Sequence, residues 1–223
     1  MVAVQSAENP LPRRLGGTST TNIAVKVQVE ERRVPDGATT LGIDLGLKAM
    51  ASYSDGTGLN MPGFYRESQA ALGLAQRANK GRRIKAIHAR IANQRKDATH
   101  KETSALVEKH AAIFVGNVSA KAMAQTRMAK SVHDAAWTTF RTQLRYKAIG
   151  RCVVFAEVNE AFSTQTCSCC GVIPPSSPKG RAGLGIRQWT CCACGAEHER
   201  DTNAARNIAR TGLRALAEEI SRV

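Results

Sequence analysis

The sequence predicts a mixed α/β fold that carries a helical insertion and a small metal-binding module near its carboxyl end. The chain has 223 residues, of which 43% are hydrophobic, enough for one full core with a small appended module. Apolar periodicity predicts elements in the order β-β-β, helix, β, helix, β, helix, which is typical of a mixed sheet whose first, fourth and fifth strands are parallel. Two CxxC pairs stand just before the last helix.

The first forty residues carry the weakest structural signals. Residues 6–22 are rich in serine, threonine, asparagine, glycine and proline, so residues 1–22 are predicted to form a flexible tail. Residues 23–30 alternate apolar and polar side chains, which is the pattern of a half-buried strand. We therefore expect one strand and a linker over residues 23–40.

Three short segments then predict an antiparallel meander. Residues 41–44 form an apolar run that ends in an aspartate, and a second strand is expected at 49–53. Asp55 and Gly56 favour a hairpin turn, which leads into a third strand around residues 59–65. The first strand of the main sheet therefore ends at a carboxylate, Asp44.

A helical hairpin with a basic surface is predicted between residues 66 and 110. Apolar residues recur there at three- and four-residue steps, and Gly81 marks a break between two helices. Nine basic residues and one acid lie between residues 77 and 101. Such a run can be a solvated helical face, but its one-sided sign favours a surface that contacts phosphates. The predicted nucleic-acid contacts are Arg82, Arg83, Lys85, Arg90, Arg95, Lys96 and Lys101.

The rest of the chain continues the alternation of strands and helices. We predict strands at residues 111–118 and 151–158, a helix at 131–146, and a closing helix from about residue 203 to 220. Cys152, inside a predicted buried strand, is expected to be a core residue. The main α/β domain would then cover residues 41–162, the cysteine module 163–198, and the closing helix 199–223.

The composition bears on partners and on compartment. The formal net charge of +14 favours a polyanionic partner, because basic side chains that neutralise phosphates release condensed counterions. No stretch approaches the roughly 20 apolar residues of a membrane span, and the amino terminus lacks the apolar core of a secretory signal. We therefore expect a cytoplasmic protein without a membrane partner. In that reducing compartment, paired cysteines indicate metal binding more often than disulfides.

Four of the seven cysteines have the spacing of a zinc ribbon. Twenty residues separate the two CxxC pairs, and thiolates in this arrangement bind zinc tetrahedrally. Glycine follows each pair, as the turn beneath a metal knuckle often requires. Cys169 and Cys192 permit other spacings, and disulfides are the alternative. The matched repeats nevertheless favour a structural zinc ion with the ligands Cys167, Cys170, Cys191 and Cys194.

Two aspartates are weaker signals when each is taken alone. Asp44 ends a strand in the segment Gly-Ile-Asp-Leu-Gly, where an aspartate is more often a cap or a turn former than a metal ligand. Asp201 precedes the closing helix, and an aspartate there is a favourable N-cap that complements the helix dipole. Their occurrence together with the cysteine module and this strand order makes both of them candidate metal ligands.

Several segments together resemble the transposon-encoded TnpB (OrfB) family. They are Gly-Ile-Asp-Leu-Gly at 42–46, the helical run 90–101, Ser-Thr-Gln-Thr-Cys at 163–167, and Arg-Asp-Thr-Asn-Ala-Ala at 200–205. The family is similar to type V CRISPR effectors, and the resemblance covers roughly residues 23–212. It implies an RNase H-like (RuvC) nuclease fold with a helical insertion and an inserted zinc ribbon.

The resemblance also implies an activity. It is RNA-guided cleavage of DNA in a bacterial or archaeal cytoplasm, near the nucleoid, with guide RNA and target DNA as partners. In such a site three carboxylates hold two magnesium ions about 4 Å apart, which activate the attacking water and stabilise the leaving oxygen. Asp44 matches the first catalytic position of the family and Asp201 the third.

The second catalytic position departs from the family pattern. A glutamate usually ends the strand that here reads Ala-Ile-Phe-Val-Gly-Asn, and this chain has Gly116 in its place. Glu160 is the preferred replacement, because it follows a strand expected about 4.8 Å away and lies on the same side as Val158. Glu157 points the opposite way and is the second candidate, and a site without any replacement would be inactive. The predicted catalytic, magnesium-binding residues are Asp44, Glu160 and Asp201.

The length of the chain is a second departure. The family usually carries a wedge and a recognition domain before the nuclease half, whereas 43 residues precede Asp44 here. We therefore expect a member that lacks most of the amino-terminal half, with residues 23–40 as a remnant of the wedge. Two alternatives stay open: an inactive family member that binds RNA or DNA as a guided repressor or accessory fragment, and a zinc-ribbon nucleic-acid binder whose acids are structural.

Overall fold

The computed structural model of the protein describes residues 39–46, 49–117, 136–180 and 182–222. The predicted tail at 1–22, the predicted strand at 23–30 and the start of the helix predicted from residue 131 lie outside these ranges. The described elements are β1 (Thr39–Leu45), β2 (Ala51–Tyr53), β3 (Gly58–Leu59), α1 (Phe64–Arg77), α2 (Gly81–Lys109), β4 (His110–Gly116), α3 (Trp137–Gly150), β5 (Val154–Val158), a 3-10 turn (Ala182–Gly185), β6 (Gln188–Thr190), β7 (Glu197–Glu199) and α4 (Arg200–Ile220).

The first five strands form one mixed sheet, in the spatial order β3-β2-β1-β4-β5. β1 pairs antiparallel with β2 and parallel with β4, and β4 pairs parallel with β5. This confirms the predicted parallel arrangement of the first, fourth and fifth strands. Because the carboxyl ends of parallel strands meet at one edge, β1, β4 and β5 end side by side, with Gly116 opposite Val158.

Strand alternation gives the sheet two different faces. Buried odd-numbered residues of β1 and β4 form the main core with α3, which contributes Phe140. The even-numbered residues face α4, where Phe114 packs in a second cluster with Ile208. Gly42 permits this close packing, since a Cβ atom there would lie 2.0 Å from the carbonyl oxygen of Ala205. The helix α4 therefore lies directly on the even face of β1 and β4.

The helical insertion between β3 and β4 consists of α1 and α2. Residues 78–80 join them, and α2 begins at Gly81, where the break was predicted. α1 packs on α2, and α2 in turn packs on α3. Although α2 has 29 residues, neither it nor any other helix in the described ranges is long and apolar enough to cross a membrane.

Two local predictions are wrong. The third strand does not reach residue 65, because β3 has only two residues and α1 already begins at Phe64. Cys152 does not belong to a buried strand, because its backbone is hydrogen-bonded to the end of α3. The amides of Arg151 and Cys152 donate to the carbonyls of Ala148 and Ile149, and β5 begins after them. Cys152 is exposed, with a left-handed φ of 53°.

Candidate active site and metal centre

Asp44 lies one residue before the end of β1, on the sheet face that α4 covers. Gly42, two residues earlier on the same face, allows the close approach of that helix. Burial raises the pKa of the Asp44 carboxyl well above its usual value, and the negative charges of Asp201 and Glu160 raise it further, while Arg200 opposes them. The two other candidate acids therefore lie close enough to Asp44 to repel its charge.

The side chain of Glu160 fills the space beside Gly116. A Cβ atom on Gly116 would lie 2.4 Å from Oε2 and 3.3 Å from Cβ of Glu160. Oε2 is buried in that position. Glu160 comes two residues after the end of β5, so the neighbouring strand delivers a carboxylate to the end of β4. Glycine at position 116 therefore leaves the space that the Glu160 carboxylate occupies.

Glu157, the second candidate for the relocated acid, faces the other side of the sheet. Its carboxylate pairs with Arg141 at 3.3 Å and with Arg145 at 2.5 Å, and both arginines belong to α3. Since α3 and α4 cover opposite faces, these ion pairs hold Glu157 away from Asp44.

Asp201 lies in the first turn of α4, not at its N-cap. The N-cap is Glu199, whose carboxylate accepts a hydrogen bond of 2.6 Å from the amide of Thr202. Asp201 instead pairs with two guanidinium groups: Arg187 lies 2.6 Å from Oδ2, and Arg200 lies 2.9 Å from Oδ1. These cations balance part of the negative charge that the three acids bring together. Because Arg187 precedes β6, the cysteine module contacts the candidate site directly.

The three carboxylates offer oxygen ligands of the kind that magnesium prefers. They come from the end of β1, the segment after β5 and the first turn of α4. A divalent cation would relieve the repulsion that raises the pKa of Asp44, so the residues fit such an ion. The acids are more loosely grouped than the cysteines: among the described residues, only the cysteine set has all its ligand atoms within 4.8 Å of one another.

The four predicted zinc ligands converge on one point. The sulfur atoms of Cys167, Cys170, Cys191 and Cys194 lie within 4.8 Å of one another. Gly171 and Gly195 have positive φ angles, and each donates its amide at 2.8 Å to the carbonyl of the first cysteine in its pair. Cys169 and Cys192, which permitted other spacings, are exposed and lie outside the set.

His198 contacts this centre and was not predicted. Its Nε2 lies 3.0 Å from Sγ of Cys167, and its ring packs 4.7 Å from that of Trp189. Burial raises the pKa of Cys167, but hydrogen bonds from the amides of Cys170 and Cys169, and then from His198, lower it to about 6. The sequence signal is the Glu-His-Glu alternation of β7, which turns the histidine inward and its two neighbours outward.

Two buried asparagines, also not predicted, attach the segment after β5 to α4. Asn203 and Asn207 are four residues apart, so their side chains share one side of the helix. Each donates to the carbonyl oxygens of Ser163 and Thr166, at distances from 2.7 to 3.3 Å. This network attaches the segment that follows Glu160 to the helix that carries Asp201. The i, i+4 spacing of the two asparagines was the available signal.

All of the predicted nucleic-acid contacts lie on α2. Arg95 is the least accessible of them, with its Nε atom buried. Lys101 is exposed and pairs with Asp97 at 2.8 Å. At about 3.6 residues per turn, the exposed members occupy one broad side of the helix. This side, called here the basic face of α2, comprises Arg82, Arg83, Lys85, Arg90, Lys96 and Lys101.

Two protein-family models match the chain. The model described as "Probable transposase" (OrfB_IS605) matches residues 22–127, and the model described as "Cas12f1-like, TNB domain" matches residues 137–208. The first match contains Asp44. The second contains Glu160, Asp201 and the four clustered cysteines.

Curated relatives carry nuclease names. A "Putative RNA-guided DNA endonuclease" of Streptomyces pristinaespiralis is 33% identical over 209 residues, with coverage of 86% of this chain and 50% of that protein. "Putative RNA-guided DNA endonuclease InsQ" of Escherichia coli (strain K12) is 30% identical, with coverage of 82% and 52%. "CRISPR-associated endodeoxyribonuclease Cas12f1" of Sulfoacidibacillus thermotolerans is 29% identical, with coverage of 70% and 37%. The chain spans about half the length of the first two relatives.

A solved structure has the same fold. "Cryo-EM structure of the Cas12f1-sgRNA-target DNA complex" matches with a TM-score of 0.56 and 16% identity, and the match covers 80% of this chain and 51% of that chain. At this sequence identity the similarity is evidence for the fold alone. It confirms the RNase H-like (RuvC) fold class that the sequence predicted.

Proposed function

The chain belongs to the TnpB (OrfB) family, and from this membership we propose that it is an RNA-guided DNA endonuclease whose metal-binding acids are Asp44, Glu160 and Asp201. The reaction is hydrolysis of a phosphodiester bond in the RuvC-like site. One observation carries the proposal: the side chain of Glu160 fills the space beside Gly116. It supplies a third carboxylate to a site that would otherwise have two.

The three acids would bind magnesium from three different elements of the fold. Bound magnesium ions supply Lewis-acid activation of water and stabilise charge on the leaving oxygen. The strand β1 fixes Asp44, and the first turn of α4 fixes Asp201. Arg187 and Arg200 pair with Asp201 and would bind a phosphate oxygen of the substrate beside it, because guanidinium groups bind both carboxylate and phosphate oxygens.

The cysteine cluster would hold a structural zinc ion. Four thiolates leave no open coordination position, which is the pattern of a closed tetrahedral site. Cys167 ends the segment that begins near Glu160, and β7 leads from the cluster into α4. The zinc ion would therefore stabilise the two chain segments that carry Glu160 and Asp201, without taking part in hydrolysis.

Guide RNA and target DNA are the proposed partners, and the names of the relatives and of the matching complex support them. Since the chain spans about half the length of these relatives, their complete activity is part of the proposal. The basic face of α2 would bind phosphates of one of these strands. The proposed setting is the cytoplasm of a bacterium or archaeon, at the nucleoid.

Magnesium-dependent cleavage of single-stranded DNA by the full chain tests this function. We expect Asp44→Ala and Glu160→Gln each to lower the cleavage rate by about a hundredfold or more, as the loss of one electrostatic group in an active site does. Glu157→Gln is the matched control, because this glutamate lies three residues before Glu160, within β5, but pairs with α3.

Two results would contradict the proposal. Full cleavage by Glu160→Gln would remove this residue from the site. Binding of DNA without any magnesium-dependent cutting by the unmodified chain would favour the inactive, nucleic-acid-binding alternative.

A further inference from the structure

Phe162 is an exposed aromatic residue in a conformation that bulky side chains rarely adopt. It is 62% exposed and has a φ angle of +63°, in the left-handed region. A β-carbon makes this region unfavourable, and for a bulky side chain such a conformation is a true outlier. Exposure means that the ring gains no stabilisation from a hydrophobic core. The fold therefore maintains a strained backbone and an unburied ring at the same residue.

Hydrogen bonds fix the backbone of Phe162 from within its own loop. Its carbonyl oxygen accepts from the amides of Gln165 and Thr166, each at 2.9 Å, and from the hydroxyl of Thr166 at 3.0 Å. The amide of Ser163 donates to the carbonyl of Glu160 at 3.0 Å. The turn that carries the ring is therefore closed on both sides.

The same loop is also attached to the rest of the protein. Asn203 and Asn207 donate to the carbonyls of Ser163 and Thr166 from inside the fold, where both asparagines are buried. Strained residues persist where the surrounding structure determines them in this way, and they are concentrated at functional sites. The ring is thus held on a rigid support.

The position of this ring relates it to the candidate active site. Phe162 is two residues after Glu160, whose carboxylate lies beside Gly116. Arg210 of α4 donates to the carbonyl of Ser168, six residues after Phe162, so a cation lies along the same segment of the chain. Sites that bind a single strand combine aromatic rings, on which bases stack, with cations that contact the backbone.

We propose that Phe162 is a stacking platform for an unpaired base of the DNA strand that enters the active site. The location of the strand rests on the proposed nuclease function, but the stacking itself does not require cleavage. Stacking is tolerant of sequence because every base has an aromatic face, so the platform would select single-stranded DNA without selecting a particular base.

Fluorescence of the Phe162→Trp variant tests the proposal directly. The native tryptophans Trp137 and Trp189 are 1% and 7% exposed, so the new indole is the accessible one. The full-length variant is titrated in magnesium-free buffer with a short single-stranded oligodeoxynucleotide, with the duplex of the same sequence, and with the corresponding RNA. We expect quenching by the single-stranded DNA and much weaker quenching by the duplex.

A second variant distinguishes the contribution of the Phe162 ring to DNA binding from that of its backbone conformation. Asparagine tolerates the left-handed region, so Phe162→Asn should have a Tm equal to or above that of the parent. Its affinity for the single-stranded oligodeoxynucleotide should fall by between about fivefold and about a hundredfold, the range for one lost base stack. Ile220→Asn, which changes another exposed apolar residue (68% exposed), is the control and should leave the affinity unchanged.

Three outcomes would overturn the proposal. They are unchanged affinity in Phe162→Asn together with no quenching in Phe162→Trp, quenching by RNA alone, and a self-association of the parent that Phe162→Asn abolishes. The last outcome would make the ring a contact between protein chains. Because these titrations contain no magnesium, they remain decisive even when the cleavage assay finds the chain inactive.

Discussion

The Cβ atom that Gly116 lacks would lie 2.4 Å from Oε2 of Glu160, so any larger residue at position 116 would displace the Glu160 carboxylate from its present position. The two residues belong to neighbouring parallel strands, and the pairing of Gly116 with Val158 brings Glu160 to the end of β4. The glycine and the glutamate are therefore two parts of one arrangement, in which a carboxylate reaches the candidate site from β5.

The third carboxylate should support cleavage from position 116 as well as from position 160. Glu160→Gly alone should abolish magnesium-dependent cleavage, and the addition of Gly116→Glu should restore a measurable part of it, because the vacated space accepts the new side chain. Gly116→Glu alone should destabilise the protein by about 1–3 kcal/mol through overpacking. Cleavage rates and thermal denaturation of the three variants measure this. A double variant with the parent's Tm but no activity would show that the two positions are not equivalent.

Asp44 should make the stability of the metal-free protein depend on pH. Burial, together with the charges of Asp201 and Glu160, raises its pKa above the usual value of 3.8. A raised pKa means that the ionised form disfavours folding: this penalty is absent below the usual pKa, grows as pH increases, and is complete above the folded-state pKa. Asp44→Asn should therefore raise Tm at neutral pH and leave it nearly unchanged at pH values below the usual pKa.

Magnesium provides the complementary measurement on the same variant. An ion that binds only the folded state stabilises it, so the Tm of the unmodified chain should rise with magnesium concentration, whereas that of Asp44→Asn should not. A Tm of Asp44→Asn at neutral pH that is lower than that of the unmodified chain would contradict the predicted repulsion between Asp44 and the charges of Asp201 and Glu160.

The four clustered cysteines should bind zinc, and the neighbouring histidine should strengthen that binding. Cys167→Ser should abolish tight zinc binding, and His198→Gln should weaken it by about 10- to 100-fold, because His198 contacts the ligand sulfur without belonging to the cluster. Competition with a chromogenic chelator measures the affinity. Cys169→Ser is the matched control, since this exposed cysteine lies between two ligands in the same knuckle. Equal losses in Cys169→Ser and Cys167→Ser would revise the ligand set.

The basic face of α2 should contribute to binding of nucleic acid through charge. Arg90→Gln should weaken binding to all sequences and reduce the slope of log K against log salt by about 1. Arg151→Gln is the control, because the guanidinium group of Arg151 already pairs with Glu108 at 3.0 Å. An unchanged salt slope in Arg90→Gln would make the face a solvated helical surface, which is the other interpretation of its charge.

Much of the fold could be predicted because it depends on local periodicity. The alternation of strands and helices, the helix break at Gly81 and the parallel order of three strands all follow from apolar spacing and chain connectivity. The short β3 and the exposed position of Cys152 could not be read in this way. They depend on where helices begin and end, and hydrogen bonds such as those after α3 decide that.

The residues of the candidate site also differ in whether local sequence patterns predict them. The sequence by itself determined the four cysteines and identified Asp44 and Asp201 as candidates, because spacing along the chain carries these signals. The sequence also identified Glu160 as the preferred replacement for the missing acid, but only the tertiary structure showed its carboxylate occupying the space beside Gly116 and its loop attached to α4 through two asparagines. The physical reason is that the available volume beside Gly116 depends on strand register and on atoms far away along the chain, which no local pattern records.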